Sequence, residues 1–271
     1  MKNKKLIALA ISSLFISNLS HAKEINLYGA GGPHHALKEI VENFKKDSKF
    51  KDLEININPG PYNTWQACAK GTGKNCTKGK ADILWGTSEN YSAVLLDEFK
   101  DFGFNQHHSK VIFLRPAVIL VQKGNPKNIR GIDDLINNPD VSRIVVNNQL
   151  LNSVTSSTAL WEDIVGRKGN IQDLEKFRSK IVYQAPGSGA AAKVLLGSNG
   201  GEKADAWITW PEWYHANQNL VDLVPIEPDR VTYRGINVIV RDDADEETRA
   251  FYDYLSSRKA FDVFSKYSAV K

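Results

Sequence analysis

Cysteine is scarce in this chain, which holds only Cys68 and Cys76 among 271 residues. Two thiols without further ligands nearby do not make a cysteine-based metal site, and their spacing is wider than the C-x-x-C of catalytic redox pairs. In an exported protein, two cysteines are more often joined than free. We therefore expect a disulfide that closes the short polar loop Ala69–Asn75.

Long apolar runs are also missing, apart from a short one at the start. Met1–Lys5 carries three lysines, Leu6–Ile16 is mostly apolar, and Ser20-His21-Ala22 places small residues where a signal peptidase reads. The apolar run is too short for a permanent membrane helix, so an uncleaved anchor is the less favoured alternative. The sequence predicts a signal peptide over 1–22 and a periplasmic protein, with display at the cell surface as a further option.

The chain lacks an excess of one charge. Its 35 Lys and Arg face 31 Asp and Glu, a formal net charge of +4 that falls to +1 when the signal peptide removes three lysines and no acid. Proteins that bind nucleic acid show a clustered basic excess instead. A nucleic-acid partner is therefore excluded.

Familiar catalytic patterns are absent as well. Gly187-Ser188-Gly189 lacks the spacing of a G-x-S-x-G elbow, and neither H-E-x-x-H nor a P-loop occurs. The adjacent pairs His34-His35 and His107-His108 point in different directions and have no acid cluster beside them, which argues against a metal. The acid pairs Glu162-Asp163 and Asp242-Asp243 have the polar surroundings of solvated groups. We expect no catalysis, no metal and no cofactor.

What the sequence does contain is an alternation of short strands and helices. Glu24–Tyr28, Leu53–Asn58 and Ala81–Gly86 have the pattern of strands, and apolar residues recur at helical spacing between Ala36 and Phe44. A second series of the same kind follows between Ile132 and Thr209. This alternation is typical of α/β proteins with largely parallel sheets.

Two positions predict where the chain crosses between lobes. Arg115-Pro116 interrupts two apolar runs, and the strand expected over Thr232–Val240 can return the chain to the first lobe. We expect 23–114 and 230–271 to form one lobe and 115–229 the other. Arg115 and Arg234 each lie at a crossing, where a guanidinium can meet a ligand held between lobes; a surface ion pair is the alternative for both.

Several expected helix starts carry glycine or hydroxyl residues. Gly29–His34 follows a strand and opens a helix, an arrangement that favours anions because of the free N–H donors and the helix dipole. His34 replaces the last glycine of the dinucleotide fingerprint, so that interpretation fails; an ordinary turn is the alternative. Ser153–Thr158 carries more hydroxyls than the single one that a helix cap needs, and Gly187-Ser188-Gly189 repeats the theme. The aromatic run Trp207–Tyr214 is expected to pack in the core or between lobes.

Seven stretches, in order along the chain, carry a resemblance to a known family: Leu27–His34, Gly60–Trp65, Ala81–Leu84, Lys123–Pro126, Trp161–Asp163, Ala204–Trp210 and Tyr233-Arg234. In these the sequence resembles the AcfC/Peb3/Paa family of accessory colonisation factor-like periplasmic solute-binding proteins. The resemblance implies a two-lobed type II periplasmic binding protein fold with two crossing strands. It also implies a small oxyanion as ligand, such as sulfate, citrate or a phosphorylated small acid like a phosphoglycerate.

The resemblance also assigns ligand-binding positions, which join Arg115 as candidates. They are Gly31, Gly32, Pro33, His34, Thr64, Trp65, Ser88, Ser153, Thr155, Ser156, Thr158, Ser188, Gly189, Tyr233 and Arg234. The hydroxyl run departs from the pattern of the family, since Val154 stands for an asparagine and Ser157 and Ala159 stand for glycines. The segment between the cysteines resembles an insertion near the edge of the cleft.

The resemblance leaves two functions open. The first is capture of a small anionic ligand for transport, with an inner-membrane permease as partner. The second is a host-facing adhesin, a colonisation factor and antigen whose anion pocket is vestigial or structural and whose partner is a host surface. A homodimer is compatible with either function.

Overall fold

The computed structural model describes residues 23–147, 160–198 and 200–268. Within these ranges the chain forms ten strands and ten α-helices. The strands are β1 (Glu24–Gly29), β2 (Glu54–Pro59), β3 (Ile83–Gly86), β4 (Ser109–Pro116), β5 (Val118–Gln122), β6 (Ile144–Asn147), β7 (Ile181–Ala185), β8 (Ala206–Thr209), β9 (Val221–Pro225) and β10 (Tyr233–Val240). The helices are α1 (His34–Phe44), α2 (Tyr62–Ala69), α3 (Glu89–Phe99), α4 (Ile132–Asn137), α5 (Leu160–Val165), α6 (Ile171–Ser179), α7 (Ser188–Leu196), α8 (Pro211–Asn217), α9 (Glu246–Tyr254) and α10 (Arg258–Ser268).

The first lobe is built on a five-stranded sheet with the order β2-β1-β3-β10-β4. β1 runs parallel to β2 and β3, whereas β10 runs antiparallel to both of its neighbours, β3 and β4. Apolar side chains cover both faces. One core forms around Trp85 and Phe251, and the other around Trp65 and Phe99. This double coverage explains why the central strands have apolar residues at nearly every position.

The second lobe has a sheet of the same size with the order β7-β6-β8-β5-β9. β6 runs parallel to β7 and β8, and β5 runs antiparallel to β8 and β9. Its two cores are centred on Trp161, stacked on Phe177, and on Trp207. The predicted core role of the aromatic run is confirmed for Trp207.

The chain passes between the sheets twice, and the two passages lie side by side. Ala117, between β4 and β5, donates its N–H to the carbonyl of Thr232, between β9 and β10, at 2.8 Å. The predicted α/β architecture with two lobes and two crossing strands is therefore confirmed.

The segment between β9 and β10, which forms the second passage, is bound to the second lobe by two of its charged side chains. The Glu227 carboxylate accepts hydrogen bonds from the N–H groups of Ile132 (3.0 Å) and Asp133 (3.2 Å) at the start of α4. Arg230 is buried, and its Nη1 donates to the carbonyl of Val165 at the end of α5 at 2.7 Å. A cation at a helix carboxyl end and an anion at a helix amino end both suit the helix dipole.

The expected disulfide is present between Cys68 and Cys76, whose Cα atoms are 5.5 Å apart. It ties the end of α2 to the loop that leads to β3. Among the described residues, no helix has the length and apolar character needed to cross a membrane.

Candidate functional site

Helices of both lobes begin where parallel strands end. In the first lobe, α1 follows β1 and α3 follows β3; in the second, α7 follows β7. The carboxyl ends of the strands in such sheets form the usual ligand crevice. Helix amino ends provide N–H donors and positive potential there. We therefore expect the starts of α1, α3 and α7 to lie toward the region where the two lobes meet.

The start of α1 is uncapped by any side chain. Pro33 occupies the cap position without a side-chain hydrogen bond, and the His34 ring contacts the carbonyl of Gly31. A side chain at Gly31 would meet nothing within 4 Å. Burial lowers the pKa of His35, and the neighbouring charges of His34 and Lys38 lower it further. The lowered pKa favours the neutral form of His35, and the backbone N–H groups of this helix start remain as donors for an anion.

Arg115 is the side chain that joins the two lobes most closely. It is 1% exposed, and its Nη1 lies 3.0 and 3.1 Å from the two carboxylate oxygens of Glu212 in α8. Its Nη2 donates to the carbonyl of Thr87 at 2.8 Å, and its guanidinium lies 4.3 Å from the ring centre of Trp210. A Cβ at Gly32 would be 3.5 Å from Nη1. The Nε of Arg115 is buried and has no hydrogen-bond partner within the described ranges of the chain.

Arg234 lies directly opposite Arg115 in the β4–β10 ladder. Its Nη2 is 3.0 Å from Oδ2 of Asp163 in α5, and its Nη1 donates to the carbonyl of Tyr233 at 3.2 Å. This pair is only partly buried, unlike the Arg115–Glu212 pair. Both arginines at the crossings thus bind a carboxylate of the other lobe. For Arg115 the predicted alternative of a surface ion pair is wrong, because the pair is buried.

A polar chain lies at the edge of the second sheet. Trp207 Nε1 donates to Oδ1 of Asn147 at 3.1 Å, and Nδ2 of Asn147 donates to Oγ of Ser188 at 3.0 Å. A side chain at Gly189 would meet nothing within 4 Å, and α7 has no side-chain cap. The hydroxyl of Thr209, at the end of β8, is buried without a hydrogen-bond partner. This edge thus offers an oriented hydroxyl and an unsatisfied one.

Other candidates have positions that serve the fold. Trp65 is buried among aromatic rings, and its Nε1 donates to the carbonyl of Gly60 at 3.0 Å. Thr64 is exposed and donates to the carbonyl of Pro61 at 2.7 Å. Ser88 caps α3 by accepting from the N–H of Tyr91 at 3.1 Å.

One further candidate, Tyr233, does not join the cluster at Arg115. Tyr233 alternates with Arg234 along β10 and therefore faces the other side of the sheet, where it is exposed. Ser153, Thr155, Ser156 and Thr158 lie outside the described residues, as do Val154, Ser157 and Ala159.

Sequence reasoning missed four residues that the structure places at this site: Asn147, Asp163, Thr209 and Glu212. Glu212 lies within the aromatic run Trp207–Tyr214, which was interpreted through its rings as a packing element. Asp163 belongs to an acid pair that was interpreted as solvated. The signal in the sequence that could have identified them is their position relative to the expected strands and helices. Asn147, Thr209 and Glu212 each end a strand or begin the following helix, where parallel sheets place their binding residues.

In the described part of the chain, no group of three or more His, Cys, Asp or Glu side chains is placed to hold a metal ion. The donor set at Arg115 is instead cationic and amide-like, which suits an oxyanion.

Comparison with known proteins places this geometry in a family context. Residues 25–268 match the model of the family described as bacterial extracellular solute-binding protein. No curated protein matches the chain. The crystal structure of Peb3 from Campylobacter jejuni shares 41% identity with a TM-score of 0.75, and covers 90% of this chain and 98% of that one. Peb3 with bound L-phospholactate gives the same identity and coverage with a TM-score of 0.77. The sulfate-binding protein SubI from Mycobacterium tuberculosis shares 17% identity over 91% of this chain and 86% of its own, with a TM-score of 0.70.

These likenesses confirm the fold class expected from the sequence, a two-lobed α/β protein of the type II periplasmic binding kind. At 17% identity the sulfate-binding protein bears on the fold alone.

Proposed function

The chain belongs to the family of bacterial extracellular solute-binding proteins, and from this we propose that it captures a small oxyanion in the cleft between its lobes. The predicted resemblance to the AcfC/Peb3/Paa family is confirmed by the relation to Peb3 over 90% of the chain. Solute-binding proteins are not enzymes, which agrees with the lack of catalytic motifs in the sequence.

The observation that carries the proposal is the Arg115 guanidinium, which is buried where both lobes meet and whose Nε has no partner among the residues that the structure describes. A buried donor without an acceptor costs free energy. A ligand oxygen that accepts from it would remove this cost and add a charge-assisted hydrogen bond. The nearby α1 start contributes backbone donors of the same kind.

The class of ligand follows from these donors and from the relatives. Peb3 has been crystallised with L-phospholactate, and SubI is described as a sulfate-binding protein. We propose a small anion of this chemistry: sulfate, a phosphorylated small acid such as a phosphoglycerate, or citrate. Donors from both lobes converge on such a ligand only when the lobes are closed, so binding selects the closed state.

Ligand binding is expected to raise the melting temperature of the refolded, ligand-stripped protein. At a concentration one hundred times the dissociation constant, the gain is about 2.7 kcal/mol, or roughly 5–10 °C for a chain of this size. Thermal-shift and calorimetric titrations with L-phospholactate, 3-phosphoglycerate, sulfate, phosphate and citrate measure it. Sodium chloride at matched ionic strength is the control. No shift with any of these anions at millimolar concentration would contradict the proposal.

We also propose the finer assignments of location and organisation: a signal peptide over 1–22, a periplasmic location, and lobes formed by 23–114 with 230–271 and by 115–229. The first predicted boundary falls within β4 and the second in the passage before β10. Arg115 and Pro116, the last two residues of β4, belong to the first sheet and are counted with the first lobe. A permease and a host surface stay predictions, as does the adhesin alternative.

A homodimer is proposed through the free edge of the first sheet. β4 is the last strand of that sheet, and three apolar side chains are exposed beside its edge: Val111 (52%), Leu114 (58%) and Tyr233 (55%). Leu114 is paired with Gly235, against which Val111 also lies, so the three form one patch. An unpaired strand edge with apolar cover favours association with another chain.

The substitution Leu114→Glu is therefore expected to convert the dimer into a monomer at micromolar concentration, because it places a charge in the patch. Size-exclusion chromatography with light scattering measures the mass. Leu220→Glu is the matched control, since Leu220 is 54% exposed in the second lobe and should leave the mass unchanged. Weak dimers dissociate at concentrations up to about 100 micromolar. A wild-type protein that is still monomeric at this concentration would contradict the prediction.

A further inference from the structure

Two arginines lie opposite each other at the crossing, and each is paired with an acid from the other lobe. We propose that Glu212 and Asp163 are built-in counter-ions of this arginine pair, Arg115 and Arg234. They hold the lobes together in the ligand-free protein, and they compete with the incoming anion for the guanidinium groups. The second half of this inference rests on the proposed function, whereas the first half does not.

The two guanidiniums share one face of the first sheet. Arg115 and Arg234 are directly opposed in the ladder. Each is two residues from an apolar side chain, Phe113 or Ile236, that packs into the same core. Like charges directly opposite one another across strands repel. Such a pair persists when anions lie on it, whether they belong to the protein or to a ligand.

The anions that lie on the pair in this structure come from the second lobe. Glu212 is in α8, directly after β8, and is 6% exposed; Asp163 is in α5. Glu89, a further acid near this end of β10, instead accepts from the N–H of Gly235 at 2.8 Å. Each arginine thus pairs with a carboxylate of the opposite lobe, at 3.0 Å in both cases.

Opening of the lobes has to separate these two ion pairs. The crossing strands carry both arginines with the first sheet, while α5 is packed in the second lobe. α8 packs on β9 and in a core of the second lobe and also touches α10 of the first, so its contact with α10 has to part together with the ion pairs. The Arg115–Glu212 pair is buried and is therefore little screened by water or salt. Separating the lobes therefore costs free energy even when no ligand occupies the cleft.

The same pairs set the charge that a ligand meets. Nη1 of Arg115 is shared between both oxygens of Glu212, so an anion approaching that nitrogen finds it already neutralised. An oxyanion must either displace the carboxylate or bind beside it against its charge. Removing the charge of Glu212 leaves the guanidinium unopposed, and a dianion gains more from this change than a monoanion.

The substitution Glu212→Gln tests both halves. Small-angle X-ray scattering of the ligand-free protein measures the radius of gyration, and calorimetry at constant ionic strength measures the dissociation constants of sulfate and L-lactate. We expect a larger radius of gyration than in the wild type. We also expect the affinity for sulfate to rise about tenfold relative to that for L-lactate, because loss of closure weakens both anions alike whereas the removed charge favours the dianion.

Two further variants keep the test decisive. Asp163→Asn removes the more exposed counter-ion and should change both readouts in the same direction by smaller amounts, so it serves if Glu212→Gln fails to fold. Glu98→Gln is the control, because Glu98 pairs with Lys70 inside the first lobe at 2.8 Å and has similar exposure to Asp163. It should leave the radius of gyration and both dissociation constants unchanged.

The outcomes are distinguishable. An unchanged radius of gyration in folded Glu212→Gln and Asp163→Asn overturns the closure by counter-ions. A ratio of the sulfate and L-lactate dissociation constants that is unchanged in both variants overturns the competition. If the wild type binds no anion, the proposed function fails, and the scattering experiment still decides whether the two ion pairs hold the lobes together.

Discussion

Replacing Arg115 by alanine is expected to lower the free energy of unfolding by about 3–5 kcal/mol, the usual result of removing one partner of a buried ion pair. Glu212, only 6% exposed, would be left as a buried charge without its counter-ion. The carbonyl of Thr87 would lose its donor, and the ring of Trp210 its guanidinium contact. Urea denaturation followed by tryptophan fluorescence measures the change.

The control for Arg115→Ala is Lys123→Ala, which removes an exposed ion pair with Asp222 and should cost at most about 1 kcal/mol. A double variant, Arg115→Met with Glu212→Leu, should recover most of the stability, because an apolar pair of similar volume can replace a buried ion pair. It should nevertheless bind no anion. A loss below about 1 kcal/mol in Arg115→Ala would show that Glu212 gains water in the variant and would refute the account of a closed, dry pair.

Gly29→Ala is the second substitution with a large expected effect. A Cβ at Gly29 would lie 2.3 Å from both Cδ2 and the carbonyl oxygen of Trp85. Neither the buried indole nor the backbone of β3 can move aside without disturbing the core, in which Trp85 is fully buried and bonded through Nε1 to the carbonyl of Ala30 at 2.7 Å. Overpacking of this kind costs about 1–3 kcal/mol, and more where backbone is involved.

Gly31→Ala is the matched control in the same turn, because a Cβ there meets nothing within 4 Å. Its effect on stability should stay within about 0.5 kcal/mol. Thermal unfolding of the two variants side by side makes the comparison. Equal stabilities would mean that the close approach of β1 to Trp85 is not what requires glycine at position 29.

This contrast refines what the sequence indicates about the glycine-rich turn. The spacing of its glycines suggests a ligand, and the structure separates two roles within it. Gly29 allows close packing of neighbouring strands, whereas Gly31 and Gly32 leave open space or face Arg115. Both roles require glycine, so the sequence alone cannot distinguish a packing glycine from one that faces the ligand site.

Most of the fold could be predicted because local periodicity and tertiary packing agree. The first three strands, α1 and β10 have the expected places. No pattern in the sequence pointed to α3, α6, α8 or β9. In α6 only Phe177 is buried, so an apolar stripe is absent, and α8 lies inside an aromatic run that hides its period.

Only part of the candidate site could be predicted from the sequence: the two arginines, but not their acidic partners. Arg115 and Arg234 were identifiable because each interrupts or opens an apolar strand at a crossing. Their partners were not, since Glu212 is 97 residues from Arg115 and Asp163 is 71 residues from Arg234. Pairing at that distance depends on how the two sheets are placed, which no local pattern encodes. Trp65 shows the opposite case. The family resemblance assigned it to ligand binding, whereas in the structure it packs in the core.

The position of β10 has a consequence for the order in which the molecule is assembled. β5 to β9, the whole second sheet, are consecutive in sequence, whereas β10 is inserted between β3 and β4 from the far end of the chain. A polypeptide that emerges from its amino end can therefore complete the second sheet first. The first sheet must wait for Tyr233–Val240, and until then β3 and β4 expose unpaired edges that favour aggregation. The first lobe, although most of it is synthesised first, is therefore expected to complete its sheet last.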